Sequence, residues 1–279
     1  MPDGDRPRHP HPDRRPRRRR RGALRGMRCD PGPQPRVRSL MSTDATDTAD
    51  AATGEGRPAD AADAGRAQPT WQGQRATPTR VILLRHGQTP LSVQRRYSGR
   101  GNPELTELGL AQAAAAARRV ARETDIAAIV SSPLTRTRQT ADAAAAALGL
   151  DVVTDDGFIE TDFGRWEGLT FAEAAGRDPD LHTHWLSDTS LPAPGGESFD
   201  EVARRVVEAT DRLLTEYAGQ TVLVVSHVTP IKSLLRHALD VGPQLLFRLH
   251  LDLASVSIAE FYPDGGAAVK AVNETAHLF

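Results

Sequence analysis

Arg85 and His86 stand directly after an apolar run, Val81-Ile82-Leu83-Leu84, and Gly87 follows them. A neutral imidazole is a nucleophile toward phosphorus. A guanidinium beside it can hold a phosphoryl group through two parallel hydrogen bonds. A short apolar run bounded by turn signals reads as a buried parallel strand. In open α/β sheets, ligands bind just beyond the carboxyl ends of such strands. The pair therefore has the chemistry and the expected location of a phosphoryl-transfer site. Gly87 permits a sharp turn and the close approach of a ligand. The plainer alternative, a core strand ending in two solvated polar residues, is equally compatible with Arg85-His86-Gly87 alone.

Two further strand ends bear on that choice. Ile126-Ala-Ala-Ile-Val130 is a second buried run, broken by Ser131-Ser132-Pro133, with Arg136 in the first turn of the helix that follows. Free backbone N–H groups and the guanidinium both favour an anion there. Thr221-Val-Leu-Val-Val-Ser226 is the clearest buried strand of the chain, and His227 comes where its apolar run stops. Three strand ends are thus expected to present Arg85, His86, Arg136 and His227 at one edge of a sheet.

The elements that would position them alternate. The pattern predicts strands at 81–85, 126–130, 152–154 and 221–226. Helices are expected from Thr106 to about Glu123, from about Leu134 to Leu148 with Gly149 as the stop, from about Ser198 to Tyr217, and from Pro230 to about Leu239. Residues 88–103 read as irregular. Residues 157–196 read as an excursion with helical pieces near 171–175 and 178–186. A hairpin of strands at 255–262 and 268–273 closes the chain. Strands alternating with helices indicate a three-layer α/β/α sandwich with a mostly parallel central sheet.

Charge divides the chain. Residues 1–40 hold 13 Arg and 4 Asp, so they carry +9, whereas the remainder, with 22 basic and 32 acidic residues, carries −10. Residues 1–77 contain few large apolar side chains and no helical or strand period. They are expected to be disordered and dispensable for activity, with residues 78–279 forming one domain. The Arg run is read as a solvated tail, or as a segment not made if translation starts at Met27 or Met41. A polyanion-binding arm is the other reading, but no aromatic residues interleave the arginines as stacking platforms for nucleic acid would. The single cysteine, Cys29, excludes a disulfide framework or a Cys-based zinc site within one chain, which fits the cytoplasm. No apolar run reaches the ~18 residues of a membrane helix. The abundance of alanine is given no structural meaning.

Together these segments resemble a known family. Leu84-Arg85-His86-Gly87-Gln88-Thr89, SSPLTRTRQTA at Ser131–Ala141, FIETDFGRWEG at Phe158–Gly168, PGGES at Pro194–Ser198 and Ser226-His227 are similar, in this order and spacing, to the histidine phosphatase superfamily in its phosphoglycerate mutase-like branch. The resemblance covers about residues 79–279. Through Tyr97–Pro103, His227–Lys232 and His250–Ser255 it is nearest to the acid phosphatase half of bifunctional ribonuclease H/acid phosphatase proteins. Residues 1–77 show no pattern for the nuclease domain, so nuclease activity is not carried over. The resemblance implies that His86 attacks phosphorus and becomes a phosphohistidine. It implies that Arg85, Arg136 and His227 hold the non-bridging oxygens, and that Glu160 is the proton donor and acceptor. Gly87, Thr89, Ser92, Ser98, Gly99 and Val228 are the expected substrate contacts. Ser92 stands where many relatives have Asn, and Val228 where many have Gly. No metal or cofactor is expected, because the arginines supply the positive charge.

The expected activity is hydrolysis of small phosphorylated metabolites. The alternatives are an α-ribazole-phosphate phosphatase, which is a choice of substrate, and a phosphoglycerate mutase. A mutase must hold a second phosphate, yet residues 169–196 contain only Arg177 as a basic residue besides two histidines. An idle phosphate-binding domain is disfavoured by the intact set of polar residues. Asp162 is the second candidate for the acid, and Glu167 is read as structural or as flanking it. His182 and His184 could suggest a metal site, but residues two apart on a helix do not share a face.

Overall fold

The computed structural model describes residues 76–279 except Thr124. The Arg run, Cys29 and nearly all of the expected disordered extension lie outside the described residues. In chain order the elements are β1 (Thr79–Arg85), α1 (Pro90–Val93), α2 (Glu107–Val120), β2 (Ile126–Ser131), α3 (Thr135–Leu148), β3 (Val152–Thr154), α4 (Phe171–Arg177), α5 (Pro179–Trp185), α6 (Phe199–Glu216), β4 (Thr221–Ser226), α7 (Val228–Leu239), α8 (Leu245–Arg248), β5 (Val256–Phe261) and β6 (Ala267–Glu274). The sheet order is β3-β2-β4-β1-β5-β6. The first four of these run parallel, and β5 and β6 add an antiparallel edge.

The apolar run in β1 is continuous because both faces of the sheet are covered. Val81 and Leu83 pack with Val206 and Leu213 of α6 and Leu234 of α7. Ile82 and Leu84 point the other way, onto Ala116 and Val120 of α2 and Ala144 of α3. All four strand residues are at most 1% exposed. Burying each one fully contributes roughly 1.5–3 kcal/mol. The alanines have a structural role after all. Ala113, Ala116 and Ala117 of α2 and Ala141 and Ala144 of α3 are buried, and their small side chains let two helices lie close to the sheet and to each other.

The register levels the strand ends. Arg85 pairs with Ser226 across β1 and β4, and Ser131 pairs with Val225 across β2 and β4. The chain returns through β4 into the gap between β1 and β2, so the strand end carrying His227 lies between the other two.

Three expectations are corrected. Residues 88–103 are not wholly irregular: α1 forms where Thr89 and Ser92 make a reciprocal capping box and Pro90 opens the helix. The helix after β4 begins at Val228, two residues before Pro230. Pro230 still falls in the first turn, where its missing N–H has no intrahelical acceptor to lose. The short α8 was not anticipated. Elsewhere the ends follow the sequence: Thr106 caps α2 by accepting from the Gly109 N–H, and Gly149 ends α3 at φ 70°.

The excursion between β3 and α6 is held by an aromatic core in which its Phe163, Trp166 and Trp185 pack with Tyr97 and with Phe199 of α6. Backbone bonds from Tyr97 N–H to Leu169 C=O and from Gly168 N–H to Tyr97 C=O tie it to the loop after α1. Among the described residues no helix is long and apolar enough to cross a membrane.

Candidate active site

His86 leaves β1 with its main chain fixed on both sides. Its N–H donates to the Ser226 carbonyl and its own carbonyl accepts from Ala254 N–H, each at 3.1 Å. The imidazole Nδ1 lies 2.7 Å from the Gly87 carbonyl oxygen. A carbonyl only accepts, so Nδ1 carries the proton and Nε2 keeps its lone pair. Burial, then the charges of Arg136 and Arg85, push the imidazole pKa well below its usual 6.5. The ring is therefore neutral at physiological pH.

His227 sits 5.2 Å from His86 between ring centroids. Its Nε2 is 2.7 Å from Ser132 Oγ. Burial, then Arg136 and His86, push its pKa well below 6.5 as well. Arg136 is fully buried and donates to the carbonyls of Gly101, Ser98 and Gly99 at 2.8, 3.1 and 2.8 Å. Burial pushes its pKa down to about 10, which leaves it charged at neutral pH. The loop it grips is held from the other side by Glu167, which accepts from the N–H groups of Gly99 and Gly101. Arg85 donates through Nη1 to the Leu251 carbonyl. Three buried nitrogens in this cluster, Arg85 Nε, Arg136 Nε and His227 Nδ1, have no hydrogen-bond partner among the described residues, and neither does Ser98 Oγ. Buried polar atoms are rarely left unpaired. Unpaired guanidinium N–H donors next to His86 suit an anion with several acceptor oxygens.

Glu160 is buried and lines the same cavity as His86. Its Oε1 accepts from Thr161 N–H at 2.8 Å and its Oε2 is 3.5 Å from Thr229 N at the start of α7. Arg205 of α6 holds the main chain beneath it, donating to the carbonyls of Gly157, Ile159 and Glu160 at 2.9, 2.6 and 3.1 Å. The same guanidinium makes two bonds, at 3.0 and 3.1 Å, to Glu197. Asp162, by contrast, turns its Oδ1 back onto Gly164 N–H at 2.8 Å and does not reach the cavity lining.

A cavity of about 950 Å³ opens over His86 and is lined by Arg85, Glu160, Thr89, Ser92, Ser98 and Val228 among the residues singled out above. Arg136 and His227 are fully buried and are not among its lining residues. Gly87 and Gly99 do not line it either. A Cβ on Gly87 would lie 2.4 Å from the Gly109 carbonyl, so that glycine serves the approach of α2 rather than of a ligand. Ser92 spends its hydroxyl on the α1 cap, donating to the Thr89 carbonyl at 2.7 Å. His182 is a buried core residue within 2.9 Å of the Tyr97 hydroxyl, and His184 faces the Asp180 carbonyl, so the two do not converge.

Ser132, Arg205, Thr229 and Lys232 belong to the site or its support and were not singled out by residue type. Lys232 carried a signal, being one of only two lysines in an arginine-dominated chain. Arg205 carried none, because its partners are carbonyls 45–48 positions away in the sequence.

Residues 81–275 match the family described as the histidine phosphatase superfamily (branch 1). The chain belongs to this superfamily. It is 66% identical over 210 residues to a bifunctional protein of Mycobacterium tuberculosis, covering 75% of this chain and 58% of that one. The chain thus spans little more than half the length of this relative. It is 32% identical over 200 residues to phosphoserine phosphatase 1 of Hydrogenobacter thermophilus, covering 71% of this chain and 94% of the relative. Its fold is similar to the solved structure of a mycobacterial glucosyl-3-phosphoglycerate phosphatase, with a TM-score of 0.66, 28% identity, and coverage of 71% of this chain and all of the other. The three-layer, mostly parallel architecture is that of the phosphoglycerate mutase-like histidine phosphatases.

Proposed function

We propose that this histidine phosphatase is a phosphomonoesterase acting through a phosphohistidine on His86, with no metal in the reaction. The observation that carries the reading is the tautomer of His86. Nδ1–H donates to the Gly87 carbonyl, which leaves Nε2 as the unprotonated nitrogen of a neutral ring that lines the cavity. Nε2 forms a bond to phosphorus as the ester P–O bond breaks in line. Arg85, Arg136 and His227 hold the non-bridging oxygens and stabilise the charge that develops on them. Glu160 gives its proton to the leaving alkoxide. It then takes a proton from the water that attacks the phosphohistidine, releasing inorganic phosphate and restoring both groups.

Hydrolysis is favoured over a mutase because the excursion brings no basic side chain to the cavity. Its Arg177 donates to the Arg165 carbonyl instead. Two relatives bear phosphatase names. Small phosphorylated metabolites, α-ribazole phosphate among them, are the substrate class this supports, and the acid-phosphatase character rests on the resemblance.

The test is phosphate release from a panel of phosphate esters with EDTA present. Wild-type protein is expected to turn over and His86→Ala to be inactive, with phosphate trapped on His86 by quenching without acid. An alanine variant as fast as the wild type removes the nucleophile assignment. Activity lost in EDTA and restored by Mg²⁺ or Zn²⁺ removes the metal-free step.

A further inference from the structure

About 950 Å³ is far more than a phosphoryl group needs, and is near the upper end of the ~300–1,000 Å³ that drug-sized ligands fill. Away from His86 the walls turn apolar. Phe163, Trp185 and Phe199 are buried cavity residues of one aromatic cluster, with Trp185 and Phe199 rings 4.6 Å apart and Phe163 4.8 Å from Tyr97. Packed against one another, they form a fixed surface. Leu108 at the start of α2, Phe171 at the start of α4 and Leu186 just after α5 also line the cavity, yet they are 54%, 55% and 49% exposed. Large apolar side chains left half exposed by three separate elements, all on the rim of the cavity that holds the nucleophile, mark a surface for apolar contact.

The charges at the same opening are mostly engaged. Arg96 is paired with Glu173 at 2.9 Å and donates to the Gly168 carbonyl. His250 faces Asp252 at 3.1 Å. Lys232 Nζ donates to the Leu246 carbonyl at 2.8 Å. Arg95 has no side-chain partner among the described residues, but it stands alone on an exposed turn. Apart from Arg95 and Lys232, which keeps its charge and two further N–H donors, the charged groups beside the apolar wall are held by the protein itself.

We infer that the alcohol part of the substrate is bulky and apolar, an alkyl or aryl group lying along Phe163, Trp185 and Phe199 and covered at the rim by Leu108, Phe171 and Leu186. This names the substrate class of the proposed phosphatase and rests on that reading. The apolar wall sets which monoesters are preferred, and the cluster around His86 sets what is done to them.

The test uses n-alkylphosphonates from ethyl to octyl, whose head group is constant and whose C–P bond is not hydrolysed. Calorimetry on the full chain gives a dissociation constant for each. Every methylene that leaves water for the wall tightens binding by up to about fourfold, so hexylphosphonate is expected to bind at least tenfold tighter than ethylphosphonate. In Phe171→Asp and Leu186→Asp, at exposed positions where folding can be checked by melting, that hexyl-to-ethyl ratio is expected to fall about fivefold. A flat series, or 3-phosphonopropionate binding tighter than pentylphosphonate, overturns the apolar assignment. The two readings fail separately. A flat series in protein that still hydrolyses p-nitrophenyl phosphate through His86 removes only the substrate class. A rising series in protein that hydrolyses no phosphate ester keeps the apolar site and removes the phosphatase.

Discussion

At His86 a single carbonyl leaves Nε2 as the unprotonated nitrogen, and hydrogen bonds likewise separate the two candidate proton donors. Glu160 and Asp162 are two positions apart, and either carboxyl could serve a leaving oxygen on chemistry alone. Their hydrogen bonds separate them: Glu160 reaches the cavity with Oε2 near Thr229 N, whereas Asp162 closes a turn onto Gly164. An alkoxide leaving group needs a proton and a nitrophenolate barely does, so loss of the acid costs more for the poorer leaving group. General acid catalysis contributes about 10²–10⁴-fold. Glu160→Gln is expected to lose about that factor in kcat on an alkyl phosphate and clearly less on p-nitrophenyl phosphate, with Asp162→Asn milder on both. Steady-state rates on the two substrates decide it. Equal losses remove Glu160 as the acid, and a larger selective loss in the Asp162 variant moves the role to that residue.

At the scale of elements, the proposed proton donor Glu160 depends on α6. Arg205 joins that helix to the carbonyls of Gly157, Ile159 and Glu160 and to the Glu197 carboxylate. Removing it leaves carbonyls without their donor, at about 1–3 kcal/mol for each one that water cannot reach. It also frees the segment bearing Glu160. Arg205→Met is expected to lower kcat about tenfold or more and to steepen the dependence on leaving group, as Glu160→Gln does. Arg205→Lys should recover part of the loss. A stability loss with unchanged leaving-group dependence would mean that Arg205 only braces the fold. This tether also shows where the sequence stops being legible. Strand runs, caps and the polar residues at strand ends report local chemistry, so β1, β2, β4 and the positions of Arg85, His86 and His227 could be read directly. The bonds from Arg136 to the loop at 98–101, and from Arg205 to 157–160, join segments brought together only by the order of the strands, and no local pattern encodes them. The helix α1 has a local signature: Thr-Pro-x-Ser at Thr89–Ser92 is a cap followed by a helix-opening proline. Ser92, an expected substrate contact, makes that cap with its hydroxyl and also lines the cavity.

The whole molecule buries its two site histidines where the sheet edge meets α7, and this couples folding to pH. His86 and His227 both have pKa values pushed well below 6.5, first by burial and then by the nearby cationic groups. In the unfolded chain they return to about 6.5. Between the depressed values and 6.5 the unfolded state holds more protons than the folded one, so stability rises with pH across that window. Their contribution is complete above about pH 6.5 and is lost as pH falls toward the folded-state values. The limiting slope is about 1.4 kcal/mol per pH unit for each histidine. His182, lowered by burial, acts in the same direction. The carboxylates enter later: Glu274, held below its ordinary range chiefly by the hydrogen bond from Arg119, loses its contribution only as pH drops below about 4.5. Urea unfolding in phosphate-free buffer is therefore expected to show about 1–3 kcal/mol less stability at pH 5.5 than at pH 7.5. The variant carrying both His86→Asn and His227→Asn should show a clearly smaller difference. His86, the proposed nucleophile, stays unprotonated through the same interval, so in acid the fold weakens before that imidazole is lost to protonation. A midpoint that is constant or rises between pH 7.5 and 5.5, or a double variant with the full wild-type slope, would show that these histidines are not buried in their neutral form.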